Sequence, residues 1–447
     1  MNCADLLHNS DGSIETLHTR TRLSEVILKK GILKKDELIE YLRAELSEAF
    51  DCQIGFWLQG SRKSHTLIKP VDKNSSYDID VGVYLFFEAE NEGVSAADVK
   101  MTLKLALESY CEINDEPTLQ DSKNACEGLK YSAFLTIDTP IYYIAHENAS
   151  PMLATDSGWI DSDPKAIQTW LTNAQDNDTK RALMKRIVRY LKAWVNVKWN
   201  GTEHKKIPSL AINVLVARHL KQFDLEDDSF IHTTLSICEE LESLFKVENP
   251  LNGQDILALS FESEVFAHTK LSELKKACLA ANGASELQKS ILFSKLFEHY
   301  FPQIELSNFG GSTGLPATMK APELAINHYA KDDKHIRTVT AGEVTVRKGE
   351  SLTFSITNRS EFNEYCYAQW TVRNIGHQAN DANDIGHKVV SSISKSHQRG
   401  AAYTGVHTME CMIFSGATVV GVSCIKVIVK PALPRVRKKK IFKGFRR

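Results

Sequence analysis

The sequence predicts an α+β protein with a helical second lobe and a C-terminal, mostly β, sandwich-like domain. Three observations predict it. A run of β-branched and aromatic residues from Val81 to Phe87 follows an Asp-Ile-Asp and reads as a strand of an early sheet. From Pro164 to about residue 302, apolar residues recur at helical spacing. Beyond residue 335 the texture becomes short alternating strands and turns, as in a β-sandwich. These changes divide the chain into expected segments 1–163, 164–305, 306–334, 335–430 and 431–447.

Taken in order, residues 20 to 50 form an expected amphipathic helix. Leu33, Leu38, Tyr41, Leu42, Leu46 and Phe50 fall at its spacing. Gln59-Gly60-Ser61 follows, with Gly-Ser at the expected start of a helix, where backbone N–H groups and a hydroxyl suit a phosphate. In Tyr77-Asp78-Ile79-Asp80-Val81, strand alternation puts Asp78 and Asp80 on one face. Adjacent carboxylates on a buried strand are costly unless a cation lies between them. Mg²⁺ takes hard oxygen ligands and leaves positions for substrate phosphates. A helix is expected near 97–110, then a second strand from Lys130 that ends in a third acid, Asp138. In two-metal phosphoryl transfer, ions about 3.5–4 Å apart clamp the attacking and leaving oxygens. Asp78 and Asp80 are expected to bridge both ions, and Asp138 to bind the one that activates the attacking hydroxyl. An isolated Asp-x-Asp reads first as a solvated edge strand; Gly-Ser before it and Asp138 after it tip the reading to nucleotidyl transfer.

In the helical half, Lys180 to Trp199 is a helix by Met184, Ile187, Val188, Leu191 and Trp194. Arg181, Lys185, Arg189 and Lys192 form a stripe along it, and three of the four are expected to be a solvated face. Ser209, after Pro208, reads as the N-cap of the next helix, and a capped N-terminus is also a phosphate site. Trp159 and Trp170 are expected in the core. Three Gly and two Pro between Leu306 and Pro322 mark a linker. Strands are expected at Val344–Val346, Leu352–Ile356, Gln369–Ile375 and Val419–Val429. His377, His387, His397 and His407 with Cys366, Cys411 and Cys424 lack the close pairs of structural zinc sites.

The bulk numbers suit an intracellular enzyme. A chain of 447 residues suggests two or three domains, and 43% hydrophobic with 25% charged residues is ordinary for a folded protein. No apolar run is long enough to span a bilayer, and Met1 to Asp5 lacks the marks of a signal peptide. Nine cysteines without a Cys-x-x-Cys pair point to a reducing cytoplasm. Residues 435–447 carry eight Lys or Arg and no acid, which leaves the rest of the chain with 46 basic and 56 acidic residues. Such a tail is expected to be solvated, with contact to nucleic acid or an anionic membrane as the alternative that Phe442 and Phe445 keep open.

Residues 50 to about 260 resemble the CD-NTase family, the bacterial relatives of cyclic GMP-AMP synthase within the polymerase-β-type nucleotidyltransferases. The matching pieces are Gln59-Gly60-Ser61, Thr66-Leu67-Ile68, Tyr77 to Val81, Ile137-Asp138, Gly158-Trp159-Ile160, Asp163-Pro164, Arg189 to Trp194 and Ile207-Pro208-Ser209. Ser64-His65-Thr66 departs from the pattern, since many relatives carry Gly before the Thr. The resemblance implies a polymerase-β-type core braced by the N-terminal helix, with a helical nucleotide-binding lobe. It places Lys192 where the family grips the triphosphate tail. It likens Asn249 to Asp255 to the loop lining the base pocket, where Asp255 is either a base contact or a cap on a helix beginning at Ile256. Trp370 to Gly376, with Ala379 and Gly386, resembles the AGS-C domain, which is proposed to sense nucleotides; Trp370 and Arg373 are its candidate contacts, although Trp370 reads first as a core residue, which makes Arg373 the cleaner contact.

The implied activity uses ATP or GTP (or other triphosphates) with two Mg²⁺ ions, Mn²⁺ being a substitute. Gln59, Gly60, Ser61, Lys192, Ser209 and Asp255 are the expected nucleotide-binding residues. Successive transfers then close a cyclic di- or trinucleotide, an antiphage (CBASS) second messenger read by a separate effector protein. Two alternatives are a toxin-type transferase acting on tRNA or protein, which the basic tail favours, and a non-catalytic nucleotide-sensing module, which the three acids oppose.

Overall fold

The computed structural model describes residues 2–131, 135–304, 319–340, 342–416 and 418–432. Residues 305–318, which take in the first part of the expected linker, the basic tail from 433 and residues 132–134 lie outside the described residues. The rest of the expected linker, 319–334, includes a strand, Leu324–Tyr329, and is corrected to that extent. The chain falls into two compact units, Met1–Gly314 with Asp381–Ile385, and Leu315–Asn380 with Gly386–Arg447.

The first unit opens with two single-turn helices, α1 (Cys3–Leu7) and α2 (Leu17–Thr21), and the long α3 (Glu25–Phe50). Ser24 caps α3, its hydroxyl accepting from the Ile27 N–H, and Asp51 ends it in the left-handed region at φ 46°. The expected helix from residue 20 is thus two helices. Leu38, Leu42 and Leu46 line its buried stripe, whereas Leu33 is 61% exposed. The sheet and its helices follow as β1 (Ile54–Gln59), α4 (Gly60–Lys63), β2 (Tyr77–Leu85), α5 (Ala96–Ile113), β3 (Thr118–Leu119), β4 (Glu127–Tyr131), β5 (Leu135–Thr139), β6 (Ile141–Tyr143), β7 (Met152–Thr155) and β8 (Gly158–Asp161). The strand order is β3-β4-β5-β2-β6-β7-β8, with β1 also paired to β2. β2 runs parallel to β5 and β6, while the other pairings are antiparallel.

Alternation along β2 decides what each face does. Tyr77, Ile79 and Val81 are buried in a core with Leu38, Leu42 and Leu46 of α3 and Val99, Leu103 and Leu107 of α5. Each such leucine contributes about 1.5–3 kcal/mol by burial. Asp78 and Asp80 take the opposite face. The helical lobe comprises α6 (Pro164–Asn173), α7 (Asp178–Lys198), α8 (Ser209–His219), α9 (Glu226–Ser243), α10 (Phe261–Ala281) and α11 (Glu286–Phe297). Asp163 caps α6 through the N–H groups of Lys165 and Ala166, ahead of Pro164 at the first helical position. Trp159 packs edge-on against Tyr143 with ring centres 4.7 Å apart, and Trp170 is half-buried.

The second unit carries two sheets around one core, in keeping with the sandwich-like expectation. Its strands are β9 (Leu324–Tyr329), β10 (His335–Val339), β11 (Glu343–Arg347), β12 (Ser351–Ile356), β13 (Tyr367–Asn374), β14 (Gly386–Ser392), β15 (His397–Gly400), β16 (Gly405–Ser415) and β17 (Thr418–Lys430). They are ordered β10-β9-β12-β15 and β11-β17-β16-β13-β14. Leu324, Ile326 and Phe354 of one sheet and Trp370, Cys411 and Ile425 of the other share the core. Trp370 and Arg373 are both 0% exposed, and the Arg373 guanidinium donates to the Glu410 carboxylate at 3.2 Å. The expectation that these two touch a nucleotide is corrected, because both side chains are spent inside the core.

Candidate functional site

The register of β1, β2 and β5 assembles the acids. Asp80 of β2 lies opposite Asp138 of the parallel β5, and Asp78 lies opposite Thr136. Neighbouring strands are about 4.8 Å apart, so two residues in register on one face lie side by side. On the other side Asp80 lies opposite Gln59 of β1, the residue that leads into α4. Three carboxylates spread over 60 positions of sequence thus meet on one sheet face. Burial, with the charges of Asp138 and Asp78, pushes Asp80 up to about 7. Burial likewise raises Asp78, although a hydrogen bond from Thr136 opposes the shift.

Two glycines make room for these carboxylates. Gly60 has φ +62°, and a Cβ there would lie 1.9 Å from Asp80 Oδ2. A Cβ on Gly128 would lie 2.7 Å from Asp138 Oδ1 and 2.9 Å from the Ile137 carbonyl oxygen. At Gly60 both backbone and space therefore demand glycine. The expected phosphate helix is a single turn, closed by Ser64 N–H to the Gly60 carbonyl at 3.1 Å and Thr66 N–H to the Ser61 carbonyl at 2.9 Å.

Gln59, Gly60, Ser61, Asp80 and Ser209 all line one cleft of about 540 Å³. Ser209 is the first residue of α8; Pro208 stands at its cap, so the expected N-cap role is corrected. Asp255 is absent from the cleft wall. Its Oδ1 accepts from the N–H groups of Val247 and Leu257, and no helix begins at Ile256. Asn249, Asn252 and Gln254 of the same loop face the cleft instead. Lys192 is also displaced from its expected place. It is 8% exposed and donates to the Thr66 carbonyl at 2.9 Å, behind the Gly60–Thr66 turn. Burial pushes it down to about 8 against the pull of Asp80 and Asp78. Arg189, expected on a solvated face, donates to the adjacent His65 carbonyl.

Several site residues escaped the sequence. Asn213 of α8 is 5% exposed and lines the cleft; its amide donates to the Ser209 carbonyl at 2.7 Å while its Oδ1 has no partner. Lys123 and Gln120, between β3 and β4, bind Asp138 Oδ2 at 2.6 Å and Oδ1 at 3.2 Å. Their only sequence signal was a polar stretch before a strand. The donor set suits a hard divalent cation in type, being three carboxylates of which two, Asp80 and Asp78, are raised by burial and by neighbouring acid charge. Among the described residues, however, no three His, Cys, Asp or Glu side chains converge into a ready-made metal cage. Asp78 is turned to Thr136 and Asp138 to Lys123.

Comparison with known proteins places this geometry. Residues 54–142 match the family described as cyclic GMP-AMP synthase DncV-like, nucleotidyltransferase domain, and residues 296–430 match the adenylyl/guanylyl and SMODS C-terminal sensor domain. An Escherichia albertii protein named cyclic GMP-AMP synthase is 60% identical over 446 residues, covering 100% of both chains. A Vibrio cholerae protein of that name is 23% identical over 206 residues, covering 36% of this chain and 47% of its own. Among solved structures, the Bradyrhizobium diazoefficiens CD-NTase CdnG in complex with GTP aligns with a TM-score of 0.51 at 12% identity. It covers 64% of this chain and 96% of that one, a likeness of fold.

Proposed function

Because the chain belongs to the cyclic GMP-AMP synthase family of DncV-like nucleotidyltransferases, we propose that it joins ATP and GTP into cyclic GMP-AMP in an Mg²⁺-dependent reaction. The observation that carries this reading is the in-register pair Asp80 and Asp138, with Asp78 beside them, and Asp80 lining a cleft large enough for a nucleotide. The Ser61 hydroxyl and the N–H groups of its turn hold the triphosphate. Lys192 and Arg189 act one layer back, fixing the turn through the Thr66 and His65 carbonyls. Asp78 and Asp80 would hold two Mg²⁺ ions, and Asp138 the one on the acceptor side. When bound, these ions neutralise phosphate charge and ease deprotonation of the acceptor hydroxyl. Asp138 orients that ribose hydroxyl, whose oxygen bonds to the α-phosphorus as the bond to pyrophosphate breaks. A second transfer closes the ring. Asn213, Asn252 and Gln254, which line the cleft, supply polar groups for the base edges.

The product serves a separate effector protein in antiphage defence, and the enzyme works in the cytoplasm; no helix among the described residues is long and apolar enough to cross a membrane. The second unit responds to a nucleotide, through residues other than Trp370 and Arg373. An RNA acceptor was favoured only by the basic tail. Chromatography and mass spectrometry after incubation with labelled ATP, GTP and Mg²⁺ test the reading. A cyclic dinucleotide with one adenine and one guanine is expected. Label found only on added tRNA or on protein would overturn it.

A further inference from the structure

We propose that Lys123 is a built-in counterion that occupies the third carboxylate and holds Asp138 out of its metal-binding arrangement until a divalent ion displaces it. The inference rests on reading Asp78, Asp80 and Asp138 as metal ligands. Both oxygens of Asp138 are engaged, Oδ2 by the Lys123 amine at 2.6 Å and Oδ1 by the Gln120 amide at 3.2 Å. Among the described residues, Lys123 is the one side-chain cation in an ion pair with any of the three acids. A cation on a carboxylate both fills its lone pairs and repels an arriving ion.

A half-exposed ion pair is ordinarily worth little. Two features separate this one from an incidental surface pair. The first is that its backbone is fixed while its side chain is not. Lys123 N–H closes a turn on the Cys126 carbonyl at 3.1 Å. Lys100, 6% exposed, donates to the Lys123 and Asn124 carbonyls at 2.8 and 3.0 Å, and is itself balanced by Asp156 and Glu127. The turn is thereby tethered beside β5, yet the Lys123 side chain remains 49% exposed and has room to swing outward. The second feature is the one-sided engagement of the acids. Asp138 carries the pair and Asp78 is taken by the Thr136 hydroxyl, so two of the three acids are turned to other partners, and among the described residues no three carboxylates converge on a common point. Gly128 leaves the space in which Asp138 turns from one partner to the other.

The test measures Mn²⁺ binding to the nucleotide-free, full-length protein by electron paramagnetic resonance. Lys123→Ala is expected to bind Mn²⁺ about fivefold more tightly than wild type, and Lys123→Arg like wild type. Asp138→Asn is expected to bind more weakly. Should the alanine variant fail to fold in a thermal scan, Lys123→Gln, which keeps a hydrogen bond without the charge, is read in its place. Unchanged affinity in the lysine variant alongside a loss in Asp138→Asn overturns the counterion and leaves the metal reading standing. No loss in Asp138→Asn removes the metal reading, and the counterion with it.

Discussion

At Gly60 a single hydrogen in place of a methyl group decides whether the site exists. A Cβ there would overlap Asp80 Oδ2 at 1.9 Å on a backbone already at φ +62°. Gly60→Ala is predicted to cost roughly 1–2 kcal/mol for the left-handed backbone alone, and to abolish turnover because Asp80 must move; thermal melts and product assays check both. Full turnover in that variant would show that Asp80 has slack. The carboxylates themselves behave in the opposite way. Asp78→Asn with Asp80→Asn is predicted to lower product formation by about a thousandfold or more, yet leave the melting temperature of the metal-free protein equal or higher, since it removes mutual repulsion. A large fall in that temperature would mean that the pair holds the fold. Asp78, Asp80, Gly60 and Ser61 were legible in the sequence because strand alternation and a Gly-Ser turn are local features. Lys123, Gln120, Gly128 and Asn213 were not, since what marks each is a neighbour brought from another strand or helix.

At the scale of the element, α7 explains how a basic stripe becomes structural. Arg189 and Lys192 are three residues apart, one above the other on a helix face, and they reach the consecutive carbonyls of His65 and Thr66. His65 sits at φ +59°, a conformation these bonds hold. Lys192→Met is predicted to destabilise by about 1–3 kcal/mol, through the orphaned Thr66 carbonyl, and to raise KM for triphosphate more than it lowers kcat. Wild-type stability and KM would return Lys192 to a passive role. Helix α2 makes a second prediction. Burial, with Arg189, His8, Arg22 and Arg186 around it, pushes His18 down to about 3. In the unfolded chain the same imidazole takes its proton near 6.5, so stability is complete above that pH and declines as pH falls from 6.5 toward 3. The slope from this residue is at most about 1.4 kcal/mol per pH unit. Urea titrations at pH 7 and 5 should show a smaller loss in His18→Asn than in wild type; equal losses would assign the slope elsewhere.

At the scale of the whole molecule, the first unit takes in a short piece of chain from far along the sequence. Asp381–Ile385 belongs to it. The Arg20 guanidinium donates to the Ile385 carbonyl at 2.8 Å, and the Asn383 amide donates to the Asp72 carbonyl at 3.0 Å. We propose that residues 335–430 otherwise form a regulatory domain without chemistry of its own. A chain ending at Ile304 is then predicted to remain soluble and to bind triphosphate, but to melt about 3–6 °C lower for want of those two bonds. An unchanged melting temperature would show that 381–385 contributes nothing.

The sequence alone determined the α+β class, the helical lobe, the sandwich-like C-terminal unit and the acids at 78, 80 and 138, because periodicity and strand alternation are written in residues close together. Only the tertiary structure decided that Lys192 grips a loop carbonyl, that Asp255 turns away from the cleft, and that Arg373 is paired inside the core. The first and last depend on partners 126 and 37 positions distant, whereas Asp255 is turned by loop N–H groups two and eight positions away, in a loop with no periodicity to read. A cation or a carboxylate takes its role from what lies opposite it, and that is fixed only when the strands find their register.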